Sequence, residues 1–184
     1  TTIHVYSNPD LGQITFNTIS GCSELDVSIS NLPSATNQIN WGDGITNFNN
    51  SHTYTNNGSG LQSNSVVINS AIAYGTAPVL TCTTTSTQLV NVFPTPLPQI
   101  FSSAINVCEE GSIDFIATTA NNQNNGVTYQ WDFGALGTNN NANTSLIFTN
   151  GNASGLQTPI QLTAFQNTSG TICTAAVTQD VYVF

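Results

Sequence analysis

The sequence predicts an all-β protein made of two tandem β-sandwiches, and three observations lead to this fold class. Short segments such as 25–30, 89–93 and 113–117 alternate apolar and polar residues with the period of a β-strand. Clusters of Asn, Gly, Ser and Pro separate these segments and are typical of turns. Landmark residues recur in the same order at an interval of about ninety residues. No stretch of the sequence has the apolar period of an amphipathic helix.

The repeat is clearest at the end of each copy. Residues 82–93 match residues 173–184 at seven of twelve positions, with an offset of 91. Trp41 and Trp131 are offset by 90, and the first cysteine of each copy by 86. Self-similarity at a fixed period indicates two copies of one domain. The predicted parts are a first domain over 1–93, a proline-rich linker over 94–99 and a second domain over 100–184.

Residues 1–6 resemble the end of a copy more than the beginning of one. The segment Ile3-His-Val-Tyr6 leads through a leucine to Gln-Ile, as Val90-Asn-Val-Phe93 does at the end of the first domain. We therefore expect residues 1–6 to be the last strand of a preceding copy. The alternative is that residues 3–6 form the first strand of the first domain.

The charge balance excludes several classes of partner. The chain has no lysine or arginine, nine acidic residues and a net charge of −9. Without cations it cannot neutralise phosphates, which excludes nucleic-acid binding and electrostatic docking on anionic lipid. No window approaches eighteen consecutive apolar residues, so we expect no membrane insertion. Hydrophobic residues still make up 39% of the chain, enough for a folded core.

Each copy contains two cysteines, 60 and 65 residues apart, with a tryptophan between them. This even number and placement predict the disulfides Cys22–Cys82 and Cys108–Cys173. In immunoglobulin-like sandwiches a tryptophan packs on an inter-sheet disulfide in the same way. Two pairs of buried free thiols are the alternative. Zinc is disfavoured because the sequence has no CxxC motif or histidine pair.

The first copy carries a motif that is similar to that of the PKD domain family. It reads Asn40-Trp41-Gly42-Asp43-Gly44, followed by Ser51-His52-Thr53-Tyr54. The family has a Trp-Asp-Phe-Gly-Asp-Gly-type turn and a later His-x-Tyr segment. From the residues alone, the tryptophan fills the core, the glycines make a tight turn, and the aspartate caps backbone N–H groups. The resemblance implies PKD/Ig-like sandwiches, in which His52 packs at a strand edge.

The second copy keeps only the first half of this motif. It reads Gln130-Trp131-Asp132-Phe133-Gly134, after which Ala135-Leu136 replaces the Asp-Gly pair and no His-x-Tyr segment follows. Tandem PKD-like copies with paired cysteines and a composition rich in Asn and Thr resemble the giant repetitive surface proteins of gliding Bacteroidota. Those proteins form adhesin filaments and are exported by the type IX secretion system.

This resemblance implies a stalk segment of an extracellular, cell-surface adhesin that bears load and projects an adhesive tip. Its partners would be neighbouring repeats of the same chain, with a surface polysaccharide or substratum as a further partner. Two other functions remain open. One is a non-catalytic carbohydrate-binding module of a secreted enzyme. The other is a fibre subunit that self-assembles by strand exchange through residues 1–6.

The acidic residues raise the question of calcium, which binds some extracellular proteins through carboxylates. The candidates lie in the two turns and near the predicted domain junctions: Asp10, Asp43, Glu109, Glu110 and Asp132. The sequence has no Asp-x-Asp-x-Asp loop, so turn capping and solvated charge are the favoured roles. We therefore expect no cofactor, with calcium as the one open alternative.

We expect no enzymatic activity and assign no catalytic residues. His52 with a serine and an aspartate would make a nucleophilic triad, but no Gly-x-Ser-x-Gly elbow is present and the second copy has no counterpart of this histidine. Aromatic residues that would form a sugar-stacking face are instead expected to lie mostly in the core. These aromatic residues are Tyr6, Phe48, Tyr54, Tyr74 and Phe148.

Overall fold

The computed structural model describes residues 2–34, 36–76, 79–120, 126–150 and 155–184. Within these ranges the regular structure is β-strand apart from the short 3₁₀ turn Gly134–Leu136. The chain divides into two compact units. The first comprises Thr1–Asn56 and Leu61–Phe93, and the second comprises Asn57–Gly60 and Pro94–Phe184.

In the first unit, eight strands lie within the described residues and form two sheets. Their bounds are β1 (Thr15–Phe16), β2 (Ser20–Cys22), β3 (Leu25–Ser30), β4 (Thr36–Asn40), β5 (Thr46–Asn47), β6 (Ser51–Tyr54), β7 (Gln62–Tyr74) and β8 (Leu80–Phe93). The sheet orders are β1-β3-β6 and β2-β8-β7-β4-β5. The pair β2–β8 is parallel, and the remaining pairs are antiparallel.

The second unit repeats this arrangement strand for strand. Its strands are β9 (Pro98–Ser102), β10 (Asn106–Val107), β11 (Ser112–Thr119), β12 (Val127–Asp132), β13 (Thr138–Asn139), β14 (Asn143–Ile147), β15 (Leu156–Thr168) and β16 (Thr171–Val183). The sheet orders are β14-β11-β9 and β10-β16-β15-β12-β13. A three-stranded sheet facing a larger sheet that contains the last two long strands is an immunoglobulin-type sandwich. The predicted fold class of two Ig-like sandwiches is therefore confirmed.

The alternating sequence of the strands determines which side chains form the core. In β3, Val27 and Ile29 are buried while Asp26, Ser28 and Ser30 are exposed, because neighbouring strand residues point to opposite faces. Trp41 and Trp131 are each 0% exposed and lie in the cores of their own units. The last strands of the units, β8 and β16, also bury alternate residues near their ends. The four valines there are each 0% exposed: Val90, Val92, Val181 and Val183.

The structure differs from the predictions in three places. Strand β8 begins at Leu80, well before the predicted segment 89–93, because its threonine-rich first half pairs with β7. Strand β9 begins at Pro98, inside the predicted linker 94–99; a proline is tolerated as the first residue of an edge strand. Residues 2–13 form no strand, so the alternative that residues 3–6 open the first domain is wrong.

Candidate functional site

The Trp-Gly-Asp-Gly turn connects β4 to β5 and is closed by side-chain caps. Asn40 Oδ1 accepts a hydrogen bond from the Gly42 backbone at 2.9 Å, and Asp43 Oδ1 accepts one from the Ile45 backbone at 3.1 Å. Gly42 and Gly44 have φ values of 83° and 98°, which favour glycine. A Cβ on Gly42 would lie 2.6 Å from the backbone of β7. The glycine therefore lets the turn pack directly against that strand.

The remaining motif residues join this turn in one aromatic and polar cluster. The His52 ring stacks on Trp41 with centroids 5.1 Å apart and meets the edge of Tyr54 at 4.6 Å. His52 Nε2 is hydrogen-bonded to Asp43 Oδ2 at 2.6 Å. The buried Tyr54 hydroxyl donates to the Trp41 carbonyl at 2.7 Å. Burial, and secondarily the Asp43 charge, raise the pKa of Tyr54.

His52 is held in this cluster by ring packing and by a hydrogen bond. The His52 ring is stacked on one aromatic side chain and in edge contact with another, and its Nε2 atom is hydrogen-bonded to a carboxylate that also caps the turn.

A polar depression of about 410 Å³, lined in part by His52, lies against β3 and β6. The Asp26 carboxylate on its wall accepts a hydrogen bond from the Thr53 hydroxyl at 2.5 Å. The other lining residues are Asn17, Val27, Ser28, Asn47, Asn49, Ser51 and His52.

The second unit keeps the packing and has a different set of side chains around its tryptophan. Asp132 Oδ1 caps Gly134 at 2.8 Å, and the chain then enters the 3₁₀ turn in place of an Asp-Gly pair. Phe133 stacks on Trp131 at 5.8 Å, and Phe115 contacts both rings. Phe148 is 1% exposed and stands where the first unit has Tyr54. The feature that both units share is therefore the buried tryptophan cluster.

A buried asparagine that sequence reasoning missed fixes the last strand of each unit. Asn56 Nδ2 donates to the Val92 carbonyl at 2.8 Å, and Asn150 Nδ2 donates to the Val183 carbonyl at 3.1 Å. The two side chains are 5% and 3% exposed. The sequence contained a signal for them, because an aromatic residue, a threonine and an asparagine recur as 54–56 and 148–150.

The candidate calcium residues do not assemble into a site. Within the described ranges, no group of three or more His, Cys, Asp or Glu side chains is placed to hold a metal ion. Asp10 Oδ1 instead accepts a hydrogen bond from the Gly12 backbone at 2.8 Å, and Asp43 and Asp132 cap their turns. The same part of the chain contains no helix with the length and apolar character needed to cross a membrane.

The aromatic residues that were candidates for sugar stacking differ in how far they are exposed to solvent. Tyr54 and Phe148 are core residues. Phe48 is 67% exposed and lies between two residues that line the polar depression. Tyr6 stacks on Tyr74 with ring centroids 4.7 Å apart.

The predicted disulfides Cys22–Cys82 and Cys108–Cys173 are wrong. Cys22 and Cys173 are disulfide-bonded, whereas Cys82 and Cys108 are free thiols. The alternative of four free thiols is therefore wrong as well. The predicted pairs do not form because of where each cysteine lies along the long strands.

In the first unit, Cys22 pairs in register with Phe93 at the end of β8, and Cys82 lies eleven residues earlier on that strand. At about 3.3 Å per residue this separates them by about 36 Å. In the second unit, Cys108 follows β10, whose last residue pairs with Val183, ten residues beyond Cys173 on β16. That separation is about 33 Å, and a disulfide requires Cα atoms within about 7 Å.

No protein-family model matches the sequence, and no curated protein matches it. Among solved structures, the chain is similar to murine CEACAM1b, with 12% sequence identity and a TM-score of 0.36. That similarity covers 94% of this chain and 100% of the murine chain. Because the sequence identity and the TM-score are both low, the fold assignment depends on the strand order of each unit, described above.

Proposed function

We propose that the chain is a structural segment of a repetitive extracellular protein, in which Ig-like sandwiches act as spacers that project an adhesive tip and bear load. The proposal includes location at a bacterial cell surface, of the kind reached by type IX secretion in gliding Bacteroidota. Its role is non-catalytic, and its main partners are neighbouring copies of the same repeat.

The observation that carries this proposal concerns Ile3 and Val5. They are 84% and 90% exposed, although they match core positions at the end of each unit in sequence. The corresponding residues are 0% exposed in both units: Val90, Val92, Val181 and Val183. Exposing two large apolar residues is unfavourable. A preceding sandwich that takes residues 3–6 as its last strand would bury both.

A chimeric chain tests this interpretation. Residues 94–180 are placed directly before Ile3 of the whole chain, so that residues 3–6 take the position of 181–184 in the added copy. We expect the added copy to fold, giving one further cooperative transition and strong hydrogen-exchange protection of residues 3–6. The matched control carries Ile3→Ser and Val5→Ser, which would bury two hydroxyls in the new core. An added copy that stays unfolded, or folds equally well in the control, would overturn the interpretation.

A second candidate is a carbohydrate-binding module, favoured by the polar depression, whose lining residues Asn47 and Asn49 flank the exposed Phe48 in sequence. Asparagine and aspartate side chains can form hydrogen bonds with sugar hydroxyls, and an exposed aromatic ring can stack on a sugar. Calorimetric titration with soluble polysaccharides tests this function. Binding that is lost in Phe48→Ala would support the module, and no binding heat across a broad set of polysaccharides would exclude it.

A further inference from the structure

The two cysteines of each unit lie at opposite ends, which we name by the course of the chain. The exit end is where the last strand finishes, at Phe93 in the first unit and Phe184 in the second. The early cysteine lies at the exit end in both: Cys22 pairs with Phe93, and the residue after Cys108 donates its backbone N–H to the Phe184 carbonyl at 2.8 Å. The late cysteine lies at the opposite, far end, about 33–36 Å away.

The oxidation states distinguish the copies. The early cysteine is oxidised in the first unit and free in the second, while the late cysteine is free in the first and oxidised in the second. Each repeat position is therefore competent to form a disulfide, and neither can do so with its own partner in the same unit. The two thiols left over are one late cysteine, Cys82, and one early cysteine, Cys108.

The N-terminal arm indicates which ends meet in an array, a step that depends on the proposed function. Tyr6 stacks on Tyr74, and the Tyr74 hydroxyl donates to the Ser7 carbonyl at 3.0 Å. Tyr74 pairs with Leu80, two residues from Cys82, at the far end of the first unit. If residues 1–6 are the last strand of a preceding copy, the exit end of that copy lies beside Cys82. An early cysteine at that exit end would then be in reach of it.

We propose that Cys108 of one molecule forms a disulfide with Cys82 of a second molecule of this chain, joining the two head to tail. Exposed apolar side chains lie at both ends and would be covered by such a contact. Val79 and Leu80 are 57% and 50% exposed near Cys82, and Phe184 is 65% exposed near Cys108. The contact uses different surfaces on the two partners, so it propagates into a linear chain.

The reaction is ordinary thiol–disulfide exchange. A small-molecule or protein disulfide supplies the oxidising equivalents: the Cys108 or Cys82 thiolate attacks it, releases one thiol and forms a mixed disulfide. The second protein thiolate then displaces the other thiol. Two protein thiols and one disulfide donor give one protein disulfide and two small thiols, with no net change in protons or electrons. Cys108 is exposed and Cys82 is partly exposed, as this attack requires.

The test uses the whole chain, oxidised with a glutathione redox buffer, alkylated and analysed on a non-reducing gel. We expect the unmodified chain to give a ladder of dimers, trimers and longer species. Cys82→Ser and Cys108→Ser alone should remain monomeric, and their equimolar mixture should stop at a dimer at least tenfold more abundant than in either variant alone. The linked peptides should contain Cys108 and Cys82. A protease that cuts after aromatic residues, as at Phe101, is needed, because the chain offers trypsin no site and no acidic residue separates Cys82 from Cys108.

Two results would overturn the proposal. One is an unmodified chain that stays monomeric with both thiols still alkylated. The other is dimerisation of a single variant as extensive as that of the mixture, which would indicate unselective oxidation. A monomeric chain combined with a folded copy in the Ile3/Val5 chimera would refute the disulfide and leave the array function standing. An unfolded chimeric copy combined with a ladder would refute the array function instead.

Discussion

The substitution Asn56→Ala tests whether a buried side-chain hydrogen bond holds the last strand of the first unit in place. The Asn56 side chain is 5% exposed, and its Nδ2 atom donates to the Val92 carbonyl at 2.8 Å. Removing a buried hydrogen-bond partner costs about 1–3 kcal/mol, because the remaining group stays desolvated. For a domain of this size, each kcal/mol lowers Tm by about 4–8 °C. We therefore expect the transition of the first unit to fall by roughly 4–24 °C.

Differential scanning calorimetry measures this effect, and the chain provides its own controls. Asn150→Ala removes the equivalent 3.1 Å bond to Val183 and should lower the transition of the second unit by a similar amount. Asn57→Ala changes the exposed neighbour of Asn56 and should leave both transitions within about 2 °C of the unmodified chain. Asn56→Ala that behaves like Asn57→Ala would refute the role assigned to the buried amide.

Two further predictions concern the turn and its aromatic neighbours. Gly44→Ala should lower the free energy of unfolding by about 1–2 kcal/mol through its positive φ alone. Gly42→Ala should lower it by about 1–3 kcal/mol more, because its Cβ would meet the Ser65 backbone. Urea unfolding measures both, and equal losses of stability would contradict the close approach of the turn to β7. Burial raises the pKa of Tyr54 in the folded state. Above about pH 10 the unfolded chain therefore releases a proton that the folded unit keeps. The free energy of unfolding should then fall by up to about 1.4 kcal/mol for each pH unit. Tyr54→Phe should abolish that alkaline slope in urea titrations of the first unit, and an unchanged slope would place its origin elsewhere.

The sequence was sufficient for those parts of the fold that depend on local pattern. The alternation over 25–30 predicted β3 and its two buried residues, because strand periodicity directly reports which face is covered. The first half of β8 escaped prediction because its threonine-rich run has no buried position to mark its register. Its pairing with β7 is a tertiary property.

The disulfide pattern could not be predicted from spacing within a copy. Counting residues between Cys22 and Cys82 does not reveal that Cys22, on β2, lies beside the end of the long strand β8, whereas Cys82 lies near the beginning of β8. The asparagines at 56 and 150 were hidden for a different reason. In a chain so rich in asparagine, a buried amide looks like a turn residue, and only its repetition after an aromatic residue and a threonine distinguishes it.

The complete sequence of the gene that encodes this chain tests the central claim most directly. If the chain is a segment of a repetitive stalk, further copies should occur at intervals of about ninety residues. Each should carry a central tryptophan, an early and a late cysteine, and the aromatic-Thr-Asn triplet of 54–56 and 148–150. Two copies alone, attached to a catalytic domain, would contradict the stalk and favour a binding module.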